Sequence, residues 1–95
     1  MQLSNRSEEI GYVISDFSRL SAQTFNLLGT RFADEGNYIE ALRNFNRAIE
    51  IEPENATAYF NKGTVKVKLG DLTGSHNDFL KAFNLRHDDL RTRYE

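Results

Sequence analysis

His76 and His87 are the only histidines of the chain, and their spacing decides whether it could run acid–base or metal chemistry. They lie eleven positions apart and match no two-histidine ligand pattern such as HExxH, in which both imidazoles share one helical face. Asp88 and Asp89 adjoin, but sequence neighbours diverge around a helix, so they are expected in a solvated loop that begins another helix. No serine stands in a GxSxG elbow, and the six glycines are dispersed, which leaves no run of backbone amides to cradle a phosphate. Cysteine is absent, removing disulfides, thiol catalysis and cysteine-ligated metal together. The expectation is a non-enzymatic chain with no cofactor and no metal site, suited to a reducing compartment such as the cytoplasm.

Charge narrows the partners. The 95 residues carry 12 basic and 14 acidic side chains, a net charge of −2, so no global field draws in nucleic acid. The basic residues are also scattered. Arg43 and Arg47 share a helical face with Glu50 nearby, and Lys62, Lys66 and Lys68 are interleaved with Tyr59, Phe60 and Val67, as on a solvated helix surface. Between Met1 and Arg19 the charges of Arg6, Glu8, Glu9 and Asp16 interrupt any apolar run of signal-peptide type, and no segment is apolar for long enough to span a bilayer. Neither nucleic acid nor membrane is expected as a partner.

The elements that would position a binding surface follow from a spacing. Phe25, Gly29, Gly36, Phe45 and Ala48 recur as Tyr59, Gly63, Gly70, Phe79 and Ala82, each 34 residues on, the period of a repeated helical hairpin. Before the first unit, Ile10, Val13, Ile14, Phe17 and Leu20 give one apolar helical stripe. Within it, Phe25, Leu28, Gly29 and Phe32 form a second stripe, which Gly36 can close in the left-handed conformation. Asn37 then opens the next helix, with Glu40 three residues on in the arrangement of a capping box. Ala41, Leu42, Phe45, Ala48 and Ile49 continue until Pro53, whose ring and missing N–H oppose further helix.

The second unit runs through Tyr59, Gly63, Val65 and Val67 to Gly70, then Leu72, Phe79, Leu80, Ala82 and Phe83. Gly74, Ser75 and Asn77 together cost its second helix roughly 1 to 2 kcal/mol relative to alanine, so it is expected to fray first. Gly29 and Gly63 are placed where the paired helices come closest, with Ala41 and Ala48 presenting methyl groups on the facing helix. Phe25, Phe32, Phe45, Tyr59 and Phe79, able to bury on the order of 150 to 250 Å² each, then fill the core rather than line a cofactor box.

These residues carry a family resemblance. Residues 22–55 resemble a tetratricopeptide repeat through Phe25, Leu28, Gly29, Phe32, Ala41, Phe45, Ala48 and Pro53. Residues 56–89 resemble a second copy through Tyr59, Gly63, Phe79 and Ala82, with Ser75 as a small residue; the copy departs from the family pattern at Lys62, Lys66 and His87. The resemblance implies an all-α fold, antiparallel helical hairpins stacked as a short right-handed solenoid of about five helices. Residues 1–21 would form an N-terminal amphipathic capping or interaction helix, and residues 90–95 the start of a truncated third unit or a tail.

The resemblance also implies a function, the binding of a peptide or partner helix in a concave groove lined by the first helix of each hairpin. Carried over by position, that groove holds Gln23, Asn26, Leu27, Thr30 and Asp34 from the first copy. The second copy supplies Thr57, Phe60, Asn61, Thr64 and Lys68. Asn61 matches a family asparagine that binds peptide backbone or a terminal carboxylate, and Phe60 would be an apolar anchor. A subclass that clamps C-terminal carboxylates is not matched: of Asn26, Thr30, Asn61, Arg91 and Glu95, only Asn61 and Arg91 fit. The alternative is assembly into a homodimer or larger homo-oligomer through the terminal helices, because two stacked units leave their ends uncovered where about three are usually needed.

Overall fold

Two glycines and a proline set the helix boundaries. In the computed structural model, which describes the backbone of residues 3–94 and the side chains of residues 17–87, the chain forms α1 (Leu3–Asp34), α2 (Tyr38–Ile51), α3 (Ala56–Leu69) and α4 (Leu72–Tyr94). Gly36 and Gly70 both take positive φ, 79° and 82°, where a side chain would be strained. Each closes its helix with the same pair of backbone bonds. Gly36 N–H donates to Ala33 O (3.0 Å) and Asn37 N–H to Phe32 O (2.8 Å); Gly70 N–H donates to Val67 O (3.0 Å) and Asp71 N–H to Lys66 O (2.9 Å). α2 stops before Pro53 as expected.

Three local expectations are corrected. Among the described residues the helices number four rather than about five, because Ser18, Arg19, Leu20 and Ser21 include neither glycine nor proline, so the leading helix runs without a break into the first helix of the hairpin. At the other end α4 passes through His87, where a proline would have stopped it, and continues over residues 88–89 in place of the expected loop. The capping box at Asn37 does not form. Its N–H, the group Glu40 would have reached, is already committed to Phe32 O, and Glu40 instead pairs with Arg43 at 2.6 Å.

α1 packs on α2 and α3 on α4, and the two hairpins join through α2 against α3, with α1 also touching α3. Ala22, Ala48 and Ala58 form one buried cluster, with Phe25, Ile49 and Ile51 packed around it. Ala41, Phe45 and Val65 form the other, surrounded by Phe32, Ala33, Tyr38 and Leu42. The glycines at the helix crossings face rings rather than methyl groups. A Cβ on Gly29 would fall 2.6 Å from Phe45 Cδ1, and one on Gly63 would fall 2.7 Å from Phe79 Cδ1. Phe45 is 1% exposed, whereas Phe25, Phe32, Tyr59 and Phe79 are only half-buried.

The second hairpin takes its polar substitutions into account locally. Lys66 Nζ lies 2.8 Å from Asp78 Oδ2, a contact held by charge rather than by hydrogen-bond alignment. Lys62 sits beside this pair with its ammonium 5.7 Å from the Tyr59 ring centroid; burial lowers its pKa, with Asp78 opposing the shift. Gly74 lies in the first turn of α4, where its N–H donates to Asp71 Oδ1 at 2.9 Å. A Cβ there would fall 2.8 Å from Asp71 Cγ, so the glycine leaves room for the helix cap.

Candidate functional site

α1 and α3, the leading helices of the two hairpins, run side by side and with the α2–α3 turn enclose a cleft of about 600 Å³. Gln23, Asn26, Leu27 and Thr30 line it from α1, Ala56, Thr57 and Asn61 from α3, and Glu52, Glu54 and Asn55 from the turn, with Arg19 also in the lining. Six of the residues expected in a groove are therefore brought together. Leu27 is 72% exposed, an apolar side chain held in water at the cleft wall.

The floor is a chain of amides. Asn55 caps α3, its Oδ1 accepting from Ala58 N–H at 2.9 Å. Because that backbone group can only donate, the orientation of the Asn55 amide is fixed, and its Nδ2 correspondingly donates to Glu52 Oε1 at 2.8 Å. Asn26 Nδ2 donates to the same Asn55 Oδ1 at 3.2 Å, which fixes the Asn26 amide in turn and leaves its buried Oδ1 without a partner. Asn55→Ala is expected to remove the cap and strand the Asn26 amide, lowering the unfolding free energy by about 1 to 2 kcal/mol in chemical denaturation. An unchanged midpoint would show that this bridge between the hairpins contributes nothing.

The other expected residues lie elsewhere. Phe60 is 56% exposed and belongs to a separate apolar groove of about 570 Å³, shared with Thr57, Phe79, Ala82, Phe83 and Arg86; its ring centroid is 5.3 Å from that of Phe79. Thr64 and Lys68 are exposed on α3 and line neither groove, and Asp34 is exposed at the end of α1. Thr30 and Thr64 each donate their hydroxyl back along the helix, to Asn26 O (2.9 Å) and Phe60 O (3.1 Å), so both present acceptors only. Of the leading apolar stripe, Phe17 and Leu20 are exposed, while Ile10, Val13 and Ile14 lie outside the described side chains.

Sequence reasoning missed Asn55, Glu52, Glu54 and Arg19. The signal for Asn55 was present as an asparagine shortly after Pro53 and directly before an apolar helical run. Among the described residues no group of three His, Cys, Asp or Glu side chains is placed to hold a metal ion, and no helix is long and apolar enough to cross a membrane.

Comparison with known proteins agrees with this architecture. The TPR repeat family pattern matches residues 29–70. The chain is 39% identical over 66 residues to Tetratricopeptide repeat protein 36 of Danio rerio, an alignment covering 70% of this chain and 35% of that protein. It is 31% identical over 67 residues to a Nematostella vectensis homolog of the same protein (70% and 37%) and 33% identical over 64 residues to the Mus musculus protein (67% and 34%). The chain thus spans about a third of the length of the curated relatives it matches.

Proposed function

From the premise that the chain belongs to the tetratricopeptide repeat family, whose repeats generally mediate protein–protein interaction, we propose that it is a non-enzymatic module that receives a peptide in the cleft between α1 and α3. The observation that carries the reading is the grouping of four carboxamides along one open channel, Gln23 and Asn61 on its walls and Asn26 and Asn55 on its floor. A carboxamide pairs a donor with an acceptor, as each peptide unit of an extended chain does, so Gln23 and Asn61 on the channel walls suit a main chain rather than one defined side chain. Leu27 offers an apolar contact on the same wall. With no cysteine to protect, such a module suits the cytoplasm.

The test is a displayed library of random peptides, selected on the folded protein, with affinities then measured for substituted variants. Asn61→Ala should weaken a selected peptide about two- to tenfold, the equivalent of one net hydrogen bond of about 0.5 to 1.5 kcal/mol, while the far-ultraviolet spectrum stays unchanged. Equal binding by wild type and by a Gln23→Ala, Asn61→Ala double variant would move the site out of the cleft.

A second reading, self-assembly, is favoured by the internal symmetry of the two units. The first-unit residues Phe45 and Ala48 are buried against the following hairpin, whereas at the open end their counterparts Phe79 and Ala82 line a groove beside exposed Phe60 and Phe83. A covering copy would double the molar mass in solution, and light scattering on the wild-type chain decides between the two readings.

A further inference from the structure

The cleft is chemically unbalanced. The ion pairs among the described residues are Arg43–Glu40, Arg47–Glu50 and Lys66–Asp78, none of them in the cleft, so Glu52 and Glu54 face it without a cation within salt-bridge distance. One carboxylate oxygen of Glu52 accepts from Asn55, and the other remains available. Arg19 lines the same cleft, leaving one net negative charge among the lining residues. Asn26 adds an independent sign of the same need: it is 9% exposed, lines the cleft, and its Oδ1 is an acceptor with no donor. The buried group left unmet on this side is thus an acceptor, and it shares the cleft with two carboxylates against one guanidinium.

We propose that the cleft selects a cationic side chain, arginine or lysine, from an extended partner peptide. Its N–H groups donate to the carboxylates of Glu52 and Glu54, and an N–H of the same segment supplies Asn26 Oδ1. Arginine suits the arrangement better than lysine because its planar, forked head offers several donors at once to acceptors that sit apart. Asn26 Oδ1 is closed to water in the unbound chain, so a donor reaches it only as the cleft wall around it shifts. This inference rests on the cleft being the peptide site, and names the charge of what enters it.

The experiment uses the whole chain, labelled with ¹⁵N, and two capped pentapeptides, acetyl-Gly-Arg-Ala-Arg-Gly-amide and its counterpart with glutamate in place of both arginines. The side-chain amide signals of Asn26 and Asn55 report directly on the floor of the cleft. The arginine peptide is expected to shift those signals and the backbone amide signals of Glu52 and of residues 54–57, and to bind about two- to tenfold more tightly than the glutamate peptide, a preference that shrinks as salt is raised. A Glu52→Gln, Glu54→Gln variant keeps the oxygen that accepts from Asn55, retains its helix content, and should lose the preference. If the glutamate peptide binds the same cleft equally or better, or if the double variant keeps the preference, the charge assignment is overturned while the cleft survives as a peptide site. If neither peptide moves a cleft signal, the charge assignment also falls, and the library selection described above separately decides whether the cleft takes peptides at all.

Discussion

Phe45→Ala should lower the unfolding free energy by about 3 to 5 kcal/mol, the range for deleting a fully buried phenylalanine. Phe45 is the largest side chain removed from water among the described residues, at 1% exposure, and it joins α2 to α3 through Val65 as well as to α1 through Gly29. A chain of this size holds roughly 5 to 15 kcal/mol in all, so the loss takes a large share of the total. Phe79→Ala removes the same ring from the equivalent place in the second unit, where it is half-buried and borders an open groove, and should cost clearly less. Denaturant titrations of the two variants decide the matter: equal losses would mean that the open groove is covered in solution, and a small loss at Phe45 would contradict the packing described.

The second large effect is expected at Gly29. Alanine is the better helix former by about 1 kcal/mol, yet Gly29→Ala should destabilise, because its methyl group would meet three atoms of a ring that has nowhere to go. Gly29→Leu adds further volume at the same crossing and should cost about 3 kcal/mol or more, at the upper end of overpacking penalties. Shortening the ring separates this clash from a backbone effect. In a Phe45→Leu background Gly29→Ala should recover much of its loss, since the two residues are in contact and their changes couple. Gly63→Ala is the internal control: its methyl would meet Phe79, which can shift into the neighbouring groove, so its loss should be smaller. Thermal melts that show Gly29→Ala at or above the wild-type midpoint would overturn this account.

The repeat was legible because its signals are steric and therefore local. Gly36, Gly70 and Pro53 act on the backbone of their own turns, and each ends a helix as its chemistry requires. The continuity of α1 was not legible from a period of 34, since a repeat boundary is a unit of similarity and ends a helix only where a breaker stands. The capping box failed for a comparable reason: the pattern at Asn37 and Glu40 is correct, but the preceding turn had already taken the N–H it needs. In the cleft, Gln23, Asn26, Leu27, Thr30, Thr57 and Asn61 converge, whereas Phe60 borders the other groove. Adjacent helical residues are about 100° apart around the axis, so Phe60 and Asn61 diverge although they adjoin in sequence. Glu52, Glu54 and Asn55 were missed because the turn between hairpins reaches the cleft only through the tertiary packing of α3 beside α1.

The unbroken run of α1 has a mechanical meaning. At 1.5 Å per residue its 32 residues make a rod of about 48 Å, and the side chains that form one wall of the cleft, from Gln23 to Thr30, are fixed to that rod. The opposite wall belongs to α3, and the Asn26–Asn55 bond fastens the two together near the turn. α1 therefore carries a wall that rests on α2 and is tied to the turn at Asn26. The leading half of the rod and the cleft wall thus share one hydrogen-bonded backbone, with no break in the helix between them.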